Sequence, residues 1–160
     1  MTNANQATAH DAQALMQLYD LRREPLMRTA RKFMVSEFWP QNYEEFKGLM
    51  FDFGSERNAF ARQCFTYWDM AAAMVLNGAI HEELFFDVSN ELYFLFAKFG
   101  QYLPQLRSEY VAPNFLEHLE TLASKPAGQV RVKEIQSRIE ARQKAAAAAK
   151  AATPSQQKLA

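Results

Sequence analysis

The chain has 160 residues, 13% of them aromatic, equal numbers of acidic and basic side chains, and one cysteine, Cys64. That length suits a single domain that buries a core without metal or disulfide support. The lone cysteine excludes an internal disulfide and a cysteine-based zinc site within one chain, and it fits a reducing compartment.

The longest apolar stretch, Met70 to Leu76, is far short of a bilayer span. The opening residues carry neither a basic nor an apolar leader segment, so a cytoplasmic protein without a transmembrane segment is expected. Val, Ile and Thr are few and apolar residues recur at three and four, which predicts an all-α protein. The expected architecture is a compact bundle of about five to six helices, with one kinked long helix and a further helix appended at the C-terminal end.

The first helix is expected to start near Asp11 as N-cap and to carry Leu15, Leu18, Tyr19 and Arg22. Pro25 interrupts it, and a new or kinked segment runs to Phe38 with Leu26, Ala30, Phe33 and Met34 inward. Trp39-Pro40 ends that segment, because the residue before a proline is driven out of the helical region. Asn42 then caps a shorter helix through Tyr43, Phe46, Leu49 and Met50. Ser55 caps the next, Glu56 to Asn77, which is apolar on two faces and so reads as the buried centre of the bundle. Trp68 lies on one of those faces and is expected to be buried.

A short helix, Ile80 to Phe86, follows. A long one, capped by Asp87 or Ser89, runs from Asn90 toward Tyr110, with a kink expected at Pro104. A last core helix carries Phe115, Leu119 and Leu122. Lys125-Pro126-Ala127-Gly128 reads as a linker by composition. Beyond it lie a thin stripe of Val132, Ile135 and Ile139 and an Ala/Lys-rich run of high helix propensity.

All 21 aromatic residues lie between Tyr19 and Phe115. The expected organisation is therefore a disordered N-terminus over 1–9, a helical bundle domain over 10–124, and a linker, basic helix and disordered end over 125–160. Charge follows the same division: residues 1–124 hold 10 basic and 16 acidic side chains, and residues 125–160 hold 8 and 2. The plain reading of the basic end is a solvated tail. Weak contact with anionic groups and folding back on the acidic body are the specific alternatives.

Candidate chemistry is sparse. Arg62 and Asp69 share the polar stripe of the central helix and could meet Arg22, Arg23, Arg28 or Arg31 from the first helices. Such a cluster is either a ligand-binding or acid–base site or a structural ion-pair network. His81 and Glu82, with His118 from a later helix, are weak metal-ligand candidates, but HExxH is absent because Phe85 stands four residues after His81. The plainer reading makes His81-Glu82-Glu83 the acidic first turn of a helix. Cys64 sits on an apolar face and reads as core. Phe85, Phe86, Tyr93 and Phe94 cannot all face one core, which leaves an exposed patch. No phosphate loop, nucleophile elbow or nucleic-acid signature is present, and no cofactor and no sequence-specific nucleic-acid partner are expected.

The stretch RQCFTYWDMAAAMVLNGAIHEELFFD at 62–87, with LYDLRREPLMRTAR at 18–31, resembles a bacterial family of small helical proteins of unknown function. The matching positions are Arg22, Arg23, Glu24, Arg62, Gln63, Tyr67, Trp68, Asp69, Met70, Ala71, Gly78, Ala79 and Ile80, within about residues 15–123. The resemblance implies a helical fold and a bacterial source but no activity. The expected role is a non-enzymatic protein-interaction module, binding a protein partner or itself. The alternative is a small-ligand binder or enzyme built around Arg62 and Asp69.

Overall fold

The structure is a computed structural model that describes residues 6–152, all helices and connections, with no strand among them. Nine α-helices form eight continuous segments, more than the five to six expected with one appended. They are α1 (Ala9–Arg23), α2 (Pro25–Lys32), α3 (Tyr43–Phe51), α4 (Glu56–Leu76), α5 (Glu82–Val88), α6 (Glu91–Phe99), α7 (Leu103–Tyr110), α8 (Glu117–Ala123) and α9 (Pro126–Ala152).

Helix α1 starts earlier than expected because Thr8, not Asp11, is its N-cap. Thr8 Oγ1 accepts from the Asp11 N–H, and the Asp11 carboxylate accepts from the Thr8 N–H at 2.7 Å, which makes a capping box. Glu24 breaks the chain from α1 with extended backbone and caps α2 through Met27 N–H, and Pro25 takes the first helical position. The segment expected to reach Phe38 as α-helix loosens into a π turn, Phe33–Glu37, where Phe38 N–H donates to Phe33 carbonyl at 2.9 Å. Phe38 beyond it is extended, and Pro40 keeps the chain from resuming the helix.

Helix α4 is the buried centre, as its two apolar faces predict. Phe60, Ala61, Cys64, Phe65, Tyr67, Trp68, Ala71, Ala72 and Val75 are all buried, and α2, α3, α5 and α8 pack around them. Asn58 is fully buried on the same helix, and its amide donates to the carbonyls of Leu49 and Met50 at 3.0 and 2.9 Å. It thereby satisfies the carbonyls that the end of α3 leaves without helical partners.

The expected kink at Pro104 falls earlier. Proline has no N–H to offer Gly100 and crowds its carbonyl, so the rod narrows to a 3₁₀ turn over Gly100–Tyr102 and α7 restarts with Pro104 in its first turn. A Cβ at Gly100 would come within 2.8 Å of the Phe96 ring, so a side chain there would make that ring shift. The residues read as a linker, 125–128, are not one. Pro126 begins α9, which lies along α6 with Val132 buried and Ile135 and Ile139 half-buried. The connection shrinks to Ser124-Lys125 because a proline suits the first turn of a helix as well as it ends one. Within the expected disordered start, residues 6–8 precede α1 and 1–5 lie outside the described residues, as does the expected disordered end at 153–160.

Candidate functional site

The two charged residues of the α4 polar stripe have different surroundings. Arg62 is exposed, while Asp69, half-buried, turns to α8. Asp69 Oδ1 accepts from the Leu119 N–H at 2.9 Å, and Oδ2 lies 3.2 Å from His118 Nδ1. Leu116, at the N-cap of α8, has left-handed backbone (φ 58°) and no capping side chain. Asp69 takes over that duty from another helix, placing a carboxylate at the positive end of α8. Asp69→Ala should therefore lower the unfolding free energy by about 1 kcal/mol, with Asp69→Asn recovering part of it. Urea denaturation of the two variants measures this.

The first-helix arginines also stay apart from Asp69. Arg22 is half-buried, with its guanidinium 5.4 Å from the Tyr19 ring centroid and 5.5 Å from that of Trp68. Arg23 is exposed and leans on Tyr19. The metal candidates are dispersed too. His81 caps α5, Glu82 pairs with Lys125 at 2.5 Å, and His118 pairs with Asp69. Among the described residues no three His, Cys, Asp or Glu side chains are grouped so as to hold a metal ion.

The polar centre of the molecule is instead Glu91, in the first turn of α6. Its carboxylate receives Arg31 Nε at 2.8 and 3.0 Å, an Arg31 terminal nitrogen at 2.5 Å, and the Trp68 indole N–H at 3.0 Å. Hydrogen bonding to Glu91 holds the Arg31 guanidinium still more firmly protonated than usual. Beside it, Tyr67 O–H donates to the Leu18 carbonyl at 2.6 Å, and burial pushes that phenol up to about 12. Burial likewise raises the Cys64 thiol well above its ordinary range, which leaves it a core residue rather than a nucleophile.

This arrangement docks α2, α4 and α6 on one another, with each oxygen of the carboxylate accepting from two donors. Glu91→Ala should cost about 2–3 kcal/mol, because it strands a half-buried guanidinium and an indole donor. A double-mutant cycle on Arg31 and Glu91 should show coupling of about 1–3 kcal/mol, against none for Arg62 and Asp69. Sequence reading missed Glu91 because a first-turn glutamate looks like an ordinary dipole partner.

Among the concave surfaces of the described residues, two are lined mainly by apolar side chains. The first is a cleft of about 330 Å³ between α1 and α5, lined mainly by Leu15, Met16, Tyr19, Leu84 and Val88 over Tyr67 and Trp68. The second, about 540 Å³, lies between α9 and the π turn with α6. It shares Trp39 and Ile139 with a smaller cavity of about 240 Å³ that reaches Lys98.

Lys98 is buried, with Nζ 2.7 Å from the Met34 carbonyl, 3.4 Å from that of Val35, and 3.6 Å from the Trp39 ring centroid. The π turn is what frees those carbonyls. Burial pulls the lysine down to about 7, against the two carbonyls and the ring face, which favour its charged form. Of the aromatics expected to form a patch, Phe85 and Tyr93 are buried. Phe86 is covered by the Arg131 guanidinium at 3.4 Å, so α9 closes most of that patch.

The model of a family described as a domain of unknown function, DUF4760, matches residues 7–125, and the chain belongs to that family. No curated protein and no solved structure matches it. No helix among the described residues is long and apolar enough to cross a membrane. Helix α9 begins one residue beyond the matched segment.

Proposed function

We propose that this DUF4760 chain is a protein-interaction module, that its contact surface is the cleft between α1 and α5, and that the occupant is a second copy of the chain. One observation carries the reading: the cleft is lined by large apolar side chains that stay open to solvent, with Met16 69% and Val88 58% exposed. A cluster of that kind marks an interaction surface more than a folding requirement.

Helix α1 supplies the argument for self-pairing. Ala12, Met16 and Tyr19 stand at helical spacing on its open side, and Met16 is the midpoint of Ala9–Arg23. The helix begins with Asp11 and ends with Arg22 and Arg23. An antiparallel pair of α1 helices centred on Met16 sets the acidic start of each against the basic end of the other. The two-fold axis makes every contact twice.

Sedimentation equilibrium of the full chain over a wide concentration range tests this. The expected result is a reversible dimer that Met16→Glu converts to a monomer of unchanged helicity, because the substitution places two like charges at the axis. A monomer at every concentration, or a dimer that Met16→Glu and Val88→Glu both leave intact, would refute the assignment.

A further inference from the structure

The groove between α9 and the π turn differs from the α1–α5 cleft, whose charged lining is one acid and one base, Asp20 and Arg22, in carrying an excess of basic side chains. Its apolar surface comes from Val35, Trp39, Phe94, Ile135 and Ile139. Along the α9 side stand Arg131, Arg138 and Arg142, at spacings of seven and four, which hold all three near one face of the helix.

Arg131 is committed: it covers the Phe86 ring and donates to the Phe86 carbonyl. Arg138 and Arg142 are exposed, and neither enters an ion pair among the described residues. The groove's two carboxylates do not cancel them. Glu91 is already taken by Arg31 and Trp68, and Glu134 is a single charge against three guanidiniums. A volume of about 540 Å³ lies within the range of small-molecule sites.

We propose that this groove binds a single-chain anionic amphiphile, a medium- or long-chain carboxylate, with its apolar chain along Trp39, Phe94, Ile135 and Ile139 and its head group on Arg138 and Arg142. Guanidinium suits a carboxylate because its planar fork meets both oxygens at once. The apolar surface supplies the burial that a head group alone lacks. The ligand stands apart from the self-pairing surface, since α1 and α5 contribute nothing to this groove.

Isothermal titration of the full chain with decanoate, 1-decanol and acetate tests it. Decanoate should bind one-to-one, and acetate should give no signal. Arg138→Gln with Arg142→Gln should weaken decanoate by about tenfold or more, as loss of a charge-assisted contact does. Both arginines are exposed, so circular dichroism should show the variant folded. Decanol binding as tightly as decanoate, absence of decanoate binding, or binding that the arginine variant leaves unchanged would each overturn the proposal. So would a loss of binding confined to Lys98→Met, which would put the head group in the neighbouring cavity. Co-sedimentation with anionic vesicles without decanoate binding would assign the arginines to a membrane surface instead, and would equally overturn it.

Discussion

Trp68→Ala should lower the unfolding free energy by about 3–5 kcal/mol, the largest effect expected of any single substitution here. The indole is 1% exposed, packs edge-on against Tyr67 at 5.0 Å and against Phe85 at 6.4 Å, and lies beneath the Arg22 guanidinium. Truncation removes those contacts and opens a void at the junction of α4, α5 and α6. The same change takes one donor from Glu91, whose oxygen nevertheless keeps Arg31.

Trp68→Phe should have a smaller effect. It keeps part of the packing and loses the indole hydrogen bond together with the volume of the second ring, so it should cost about 1–3 kcal/mol. Against a total stability of about 5–15 kcal/mol for a domain of ordinary size, the alanine variant should show a large fall in the urea midpoint. An alanine variant with an unchanged midpoint would contradict the burial of Trp68.

Much of the fold was legible in the sequence because it depends on local rules. Pro25, Asn42 and Ser55 each mark a helix start through a single residue's chemistry, and α4 announced itself by being apolar on two faces. What escaped was non-local. Glu91 meets Arg31 across 60 residues, and Asp69 caps a helix 50 residues away. No spacing rule connects either pair, so the stripe that carries Arg62 and Asp69 looked like one site when its members face different neighbours. The π turn was hidden for a related reason. Trp39-Pro40 signals an end, but whether the last turn tightens or widens depends on a partner such as Lys98, which arrives from α6. Composition alone misread 125–128, since Pro and Gly punctuate a chain without saying whether they end an element or begin one.

Removing residues 126–160 should leave a folded body of lower stability, by about 3–5 kcal/mol. The body carries every aromatic residue, and the family match ends at 125, so its core should form without α9. The loss arises because α9 buries Val132 and half-buries Ile135 and Ile139 against α6, while Arg131 covers Phe86. A side chain of this size contributes about 1.5–3 kcal/mol when fully buried and less when half-buried.

The docking should respond little to salt, despite the opposite charges of tail and body. The ion pair at the junction, Lys125 with Glu82, is exposed and precedes the helix, and Lys133, Arg138 and Arg142 face solvent. One substitution distinguishes docking from mere helix formation. Gly128 is buried against the end of α8, where a Cβ would come within 2.6 Å of the Ala123 carbonyl oxygen. Gly128→Ala should therefore keep, or slightly raise, the intrinsic helicity of α9 while lifting it from the body. Thermal melts of the full chain, the 1–125 truncation and Gly128→Ala should place the last two together, both below the first. A truncation that fails to fold would make α9 part of the core. A Gly128→Ala protein that melts with the full chain would show that the α8–α9 corner does not hold the helix down.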